Sequence, residues 1–336
     1  MYNSEKLTIG ENMKYISKLV LLVLFSFFAT HTQLLADYPE KEIKVIVNYG
    51  AGGGVDRTAR SLQKFLPTEF GKSVVVENHK GAGGKIGLKK FMKEPRDGYT
   101  ILTAFAPATT YVKFKDPSVF KTDDLDIINI QWIDPAIIIA RKDTGWKNID
   151  DMIKAVRANP GKYTFGSSGK GSVGPVLARV LFKKLGLDIK IVPYKGGGKT
   201  RKAFIAGEVH MTAAGSGGAL KAKKHSVVLG AFMDGSVPGW EKARPINKLL
   251  RQYGYKVKVP YGGAYRFHAV HKDVKVNYPK RYKKIVQAYK KTTRSNKSFI
   301  AFADKTNVGR SWLGPKKSNK LYRKIDKEFT DIMKNN

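Results

Sequence analysis

The sequence predicts an α/β protein of two domains with open, mostly parallel sheets. Three observations carry this. Short β-branched runs alternate with stretches whose apolar residues recur at helical spacing, the pattern of βα units. Glycine- and serine-rich turns recur where those runs end, at 50–54, 166–172, 193–198 and 215–218. The chain has 336 residues and is 42% apolar, enough for two packed cores.

The first unit is the clearest. Val45, Ile46 and Val47 read as a buried strand. Gly50 and Gly52 to Gly54 follow, and then Ala59, Leu62 and Leu66 recur at helical spacing, with Phe65 alongside. Glycines there let a bound group come close to the backbone. The unpaired N–H groups of a helix start point at it and favour an anion. The next strand is Ser73–Asn78. Lys80–Gly87 opens a second helix, with Ile86 and Phe91 as expected apolar contacts, and Asp97-Gly98 turns into a strand over Tyr99–Ala104. Ile127–Ile130 and Ala136–Ala140 read as two further strands.

Asn148 stands where it can cap a helix from Ile149 to Ala158, which Asn159-Pro160-Gly161 stops. Tyr163–Phe165, Asp188–Val192, Val209–Ala214 and Val227–Phe232 read as strands. The intervening helices run over Val176–Leu185, ended by Gly186, and up to about Ala206. The second domain begins near Ala140. After residue 260 the chain is expected to return and pack on the first domain. The expected division is a signal at 1–36, domain 1 at 37–139 with 263–336, and domain 2 at 140–262.

Residues 13–36 have the pattern of a secretory signal. Lys14 and Lys18 precede an apolar run from Leu19 to Ala29, and Leu34-Leu35-Ala36 ends in a small residue before Asp37. The run is short for a membrane span. Translation starts at Met1 or Met13. The chain has no cysteine, so it has neither disulfides nor Cys-based zinc or redox chemistry.

The formal charge is +35, from 62 Lys+Arg against 27 Asp+Glu. Such a balance fits nucleic acid, a membrane surface or acidic ligands, and equally a lysine-rich surface with no partner. The C-terminal region favours the last. Tyr282, Ile285, Val286 and Tyr289 form one apolar stripe and Leu321, Ile325, Phe329 and Ile332 another, with the lysines mostly between them.

Catalytic and nucleotide motifs fail one by one. Gly169–Gly174 matches a dinucleotide fingerprint in form, but Asp188 lies at the start of the next strand, not at its end. Gly198-Lys199-Thr200 would close a P-loop whose opening glycine is replaced by Pro193. Gly166-Ser167-Ser168-Gly169-Lys170 has lysine where a nucleophile elbow needs glycine, and Ser167 with Lys170 has no partner motif. His268 and His271, three apart on a strand, face opposite ways and do not share a metal. No nucleophile–base pair can be named. The surviving feature is donor-rich turns at strand ends, which suits a binder.

These residues carry a family likeness. Tyr38-Pro39, Gly50–Asp56 with Arg60, Val76-Glu77-Asn78, Gly81–Gly84 with Gly87, and Asp97–Thr100 are similar, in order and spacing, to the signatures of tripartite tricarboxylate transporter receptors, the Bug family. Asn159-Pro160-Gly161, Phe165–Ser168, Val192–Gly196 and Gly207–Val209 continue the match. The likeness covers about residues 38–235. It departs at Ser236–Trp240, which lacks a usual threonine, and at Gly262–His268, where many relatives have a proline-rich strand exit.

The resemblance implies a type II, Venus-flytrap periplasmic binding protein that closes about a hinge near Ala140 and Gly263. It also implies a small carboxylate ligand (a di- or tricarboxylate, acidic amino acid or aromatic acid) and delivery to a permease of one large and one small subunit. The expected ligand contacts on the first domain are Tyr49, Ala51, Gly52, Gly53, Asp56 and Thr109. On the second they are Ser167, Ser168, Gly169, Lys195, Gly196, Gly197 and Ser216. Asp56 would repel a carboxylate, so it is expected to cap the helix or order its loop. No cofactor, metal or nucleic-acid partner is expected, and the chain is expected to be monomeric, periplasmic after cleavage near Ala36, and without catalytic activity. The competing classes are a basic nucleic-acid binder and a periplasmic enzyme acting on a small acid.

Overall fold

The computed structural model describes residues 38–169 and 172–334, and Lys41–Asn336 forms one compact unit. The expected export signal, its cleavage point, and Lys170 and Gly171 of the 166–172 turn lie outside the described residues. In chain order the first elements are β1 (Ile43–Val47), α1 (Gly54–Gln63), α2 (Leu66–Phe70), β2 (Val74–Asn78), α3 (Lys85–Met92), β3 (Thr100–Ala106), α4 (Ala108–Lys115) and β4 (Leu125–Arg141). The middle contributes α5 (Ile149–Ala158), β5 (Thr164–Ser167), α6 (Val173–Leu185), β6 (Lys190–Pro193), α7 (Gly197–Ala206), β7 (Met211–Gly215), α8 (Ser216–Ala219) and β8 (Ser226–Ala231). The chain ends with α9 (Ile246–Gln252), β9 (Gly263–His271), α10 (Lys272–Asn277), α11 (Pro279–Ser295), α12 (Lys297–Thr306) and α13 (Gly314–Lys334).

The strands form one nine-stranded sheet of order β2-β1-β3-β9-β4-β7-β5-β6, with β8 also on β4. The outer strands are parallel, β1 with β2 and β3, and β5 with β6 and β7. Every pairing made by β4 and β9 is antiparallel, so the sheet is more mixed than the sequence predicts.

A second difference lies in β4. The sequence reads as two strands flanking 131–135, because Gln131, Asp134 and Pro135 interrupt the apolar pattern. The strand is in fact continuous for 17 residues. Leu125–Pro135 pairs with β9, with register shifts after Ile127 and Ile130 that bend it, and Ala136–Ala140 then pairs with β7 on the other half of the sheet. Pro135 sits where the partner changes, a place where a missing N–H costs little.

Three cores follow. One lies between β1, β3, β4 and β9 and helices α3 and α13, around Phe91, Ile127 and Phe267. A second gathers Ile138, Met152, Phe165, Leu181 and Phe232, and a third Ile137, Phe204, Ala231 and Trp240. α13 serves both halves of the sheet. Tyr322 and Ile325 join the first core, whereas Phe329, with Ile332 and Met333 beside it, joins the second. The return of the chain is therefore not confined to the first half.

Local signals hold well. The Asn148 side chain accepts from the N–H groups of Asp150 and Asp151, capping α5. Gly186 ends α6 at φ 64°, a left-handed conformation that glycine adopts without strain. Ile86 does not make the expected apolar contact on the core side: it is 52% exposed, while Leu88 and Phe91 of the same helix are buried.

Candidate functional site

Sheet register brings the strand-end turns together. The end of β3 pairs with the start of β9, Ala106 opposite Tyr265, and Tyr265 in turn lies opposite Ile133 of β4. Two residues on, Pro135 faces Gly263 and Ala136 faces Gly215, the last residue of β7. β5 and β6 run parallel beside β7 and end at Ser167 and Pro193. The carboxyl ends of the parallel strands from both halves thus converge on the middle of β4, where open α/β sheets place ligands.

On the first half, Ala51, Gly52 and Gly53 are exposed, and α1 starts after Gly53 with no side-chain cap. Asp56 is buried. Its Oδ2 accepts from the Gly52 N–H at 2.8 Å, and its Oδ1 from Arg60 Nε at 2.8 Å and Asn78 Nδ2 at 2.9 Å. The carboxylate folds the turn instead of capping α1. Tyr49 donates its hydroxyl to the Gly83 carbonyl at 2.7 Å, packs on Phe105, and has its ionisation suppressed by burial. Thr109 is fully buried at the start of α4, where its hydroxyl accepts from Tyr322.

On the second half, Ser167 is buried and Ser168 and Gly169 are partly exposed. Ser167 lies opposite Pro193, and its carbonyl accepts the Tyr194 N–H, so the turns after β5 and β6 are neighbours. Lys195, Gly196 and Gly197 are exposed at the start of α7. Ser216 is buried, and its hydroxyl donates to Asp134 Oδ1 at 2.9 Å.

That last bond leads to residues the sequence reading missed. Asp134 Oδ1 also accepts the Gly217 N–H at 3.0 Å, and Asp134 Oδ2 accepts from Arg266 Nη2 at 2.9 Å. The Arg266 guanidinium stacks on the Trp132 ring, 4.0 Å from its centroid, and Arg57 stands over the same ring at 5.0 Å. Burial lowers the Arg57 pKa, and so does the repulsion from Arg266 and Arg201, against the attraction of Asp134. Arg201 donates to the Gly218 carbonyl. One signal for this cluster is present in the sequence: Arg266 and Asp134 are lone charges within otherwise apolar strand patterns.

His268 and His271 belong to the core. His268 bonds Thr103 and Gln131, while His271 stacks on Phe91 and bonds its carbonyl. No group of metal-ligating side chains occurs among the described residues.

Residues 58–226 match the sequence pattern of the tripartite tricarboxylate transporter family receptor. A UPF0065 protein of Agrobacterium vitis, from the TAR-I ttuE-ttuC' intergenic region, is 30% identical over 201 residues, covering 60% of this chain and 57% of that protein. The chain thus spans somewhat more than half the length of the curated relatives it matches. Two solved structures from Rhodopseudomonas palustris share the fold. One was solved with adipate, with a TM-score of 0.73 at 18% identity over 89% of this chain and 98% of that one. The other is MatC with bound malate, with a TM-score of 0.68 at 18% identity over 88% and 99%.

Proposed function

Because the chain belongs to the tripartite tricarboxylate transporter receptor family, we propose that it captures a small carboxylate where the two halves of its sheet meet. The bound acid is then handed to a membrane permease of one large and one small subunit. One observation carries this reading: the carboxyl ends of parallel strands from both halves converge on the middle of β4. The Ala51–Gly53 turn, whose Gly52 N–H is engaged by Asp56, and Ser167–Gly169 supply neutral N–H and hydroxyl donors there, which hold an anion without a catalytic group. Relatives of the same fold, solved with adipate and with malate, support the ligand class. The residues 37–139 with 263–336 act as one domain and 140–262 as the other, closing about β4 and β9. The mature receptor works as a periplasmic monomer after cleavage near Ala36. No helix among the described residues is long and apolar enough to cross a membrane.

The test is a thermal-shift screen of small carboxylates, because a ligand that binds only the native state raises its melting temperature by mass action. Calorimetry on Ser168→Ala and Gly53→Ala follows. Loss of one charge-assisted hydrogen bond weakens binding by roughly 1.5–3 kcal/mol, about ten- to a hundredfold. Gly53 suits the purpose because an added Cβ meets only the Gly50 carbonyl, at 3.2 Å. If both variants stay folded and bind the stabilising acid as wild type does, these turns are not the site. Scattering with and without that acid reports closure as a smaller radius, and an unchanged radius at saturation argues against the hinge.

A further inference from the structure

The apolar stripe of α11 faces inwards: Ile285, Ala288 and Tyr289 are buried, and the Tyr289 ring lies against His268. Its opposite face is a row of Lys280, Lys283, Gln287, Lys290 and Arg294, all exposed. Spacings of three and four keep that row on one side of a helix about 25 Å long. Between Lys272 and Lys297 the chain has ten basic residues and one acid, Asp273. The acids beside this region are already engaged, Asp273 by Arg96, Asp126 by Lys275 and Glu69 by Lys291. The four cations of the row enter no ion pair among the described residues. Like charges along one helix face repel, so the row gains from any anionic surface laid against it.

The row begins at an apolar tip, the junction of α10 and α11. From Lys275 to Lys280 every residue is exposed, Val276 by 68% and Tyr278 by 38%. Arg281 lies over the Tyr278 ring, 4.7 Å from its centroid, and Lys272, Lys275 and Lys280 are exposed around the pair. An aliphatic and an aromatic side chain set among cations suit a bilayer interface. Tyrosine sits at the level of the headgroups, lysine and arginine meet lipid phosphates, and the aliphatic group goes just beneath. Duplex nucleic acid uses such lysines but gains little from an exposed valine. The position in the fold agrees. β9 ends at His271 beside the start of β3, because Leu102 faces Ala269, and Arg281 donates to the Asp97 carbonyl just before β3. The tip therefore stands at the amino ends of the parallel strands, away from the crevice at their carboxyl ends.

We propose that the α10–α11 tip and the outward face of α11 rest on an anionic lipid surface. Val276 and Tyr278 enter the headgroup layer, and Lys280, Lys283, Lys290 and Arg294 meet lipid phosphates. The chain is held at a membrane while its crevice stays uncovered. The inference does not depend on which acid the crevice takes.

Vesicle sedimentation of the full chain tests it, with vesicles of phosphatidylcholine alone and of phosphatidylcholine and phosphatidylglycerol in equal parts. Wild type is expected to bind the anionic vesicles at least about a hundredfold more tightly, and to lose the difference as salt rises. Replacing Lys280, Lys283 and Lys290 together by glutamine should weaken that binding about a hundredfold, at roughly fivefold for each cation. Lys184, Lys221 and Lys224 are exposed on the other half of the sheet, and replacing them by glutamine removes the same charge with little expected loss. Val276→Ser keeps every charge and should weaken lipid binding about five- to tenfold, with no change towards duplex DNA. All of these sites are exposed, so each variant should melt as wild type does. The N-terminal apolar run is the same in every protein, so differences between variants read the patch alone. Equal binding of both vesicles by wild type, equal loss in the two triple variants, or unchanged lipid binding by Val276→Ser overturns the inference. The last two outcomes would mark the surface as a general polyanion binder.

Discussion

His268 should make the fold acid-sensitive by an amount that can be worked out. Its side chain is fully buried between Thr103 and Gln131, with the Tyr289 ring 4.8 Å away. The Gln131 amide nitrogen donates to the Gly309 carbonyl, so its oxygen faces His268 and accepts from Nε2. Nδ1 is then free to accept from the Thr103 hydroxyl, and the neutral ring is satisfied on both sides. Burial pushes the folded pKa down to about 3 from 6.5. Between those values the unfolded chain binds the extra proton, so stability is full above the unfolded pKa and is lost as the pH falls towards the folded one. At about pH 4.5 the loss is roughly 2.7 kcal/mol, at about 1.36 kcal/mol per unit. Urea denaturation near pH 7.5 and 4.5 should show this loss in wild type. His268→Gln cannot take up the proton, so its loss over the same interval should be smaller by about 2–3 kcal/mol. His210 and His271 are also depressed by burial, and they contribute equally to both proteins. The same pH dependence in wild type and variant would refute the reasoning.

Four further variants test the packing. Asn148→Ala removes both cap bonds of α5 and should lower stability by about 1 kcal/mol in urea titration. Two glycines should respond with opposite signs. A Cβ on Gly174 would lie 2.8–2.9 Å from the backbone of Ala213 and Ala214, so Gly174→Ala must lift α6 from β7 at a cost of about 1–3 kcal/mol. Gly198 in α7 has nothing within 4 Å of its Cβ position, so Gly198→Ala should stabilise by roughly 0.4–1 kcal/mol, read as a raised melting temperature. Phe329→Ala should cost about 3–5 kcal/mol, because the last turns of α13 fill the second core.

The sequence alone determined what depends on neighbours along the chain. β-branched runs and helical spacing place β1, β2, β5 and their helices, because strand and helix periods are local. Asn148 and Gly186 mark helix ends because capping and left-handed turns act within a few residues. The donor-rich turns at 50–54, 166–172 and 215–218 are legible for the same reason. Only the tertiary structure decided what depends on distant segments. β4 is one strand because β9, more than 120 residues later, pairs with Trp132 to Pro135 and satisfies the polar backbone there. The Asp134–Arg266 pair spans 132 positions, and Trp132 comes to lie beneath Arg57 and Arg266 through the same crossing. In the sequence Asp134 reads as a break in an apolar run and Arg266 as a lone charge in a strand. Their partners are set by sheet register, a property of the closed chain that no local window contains.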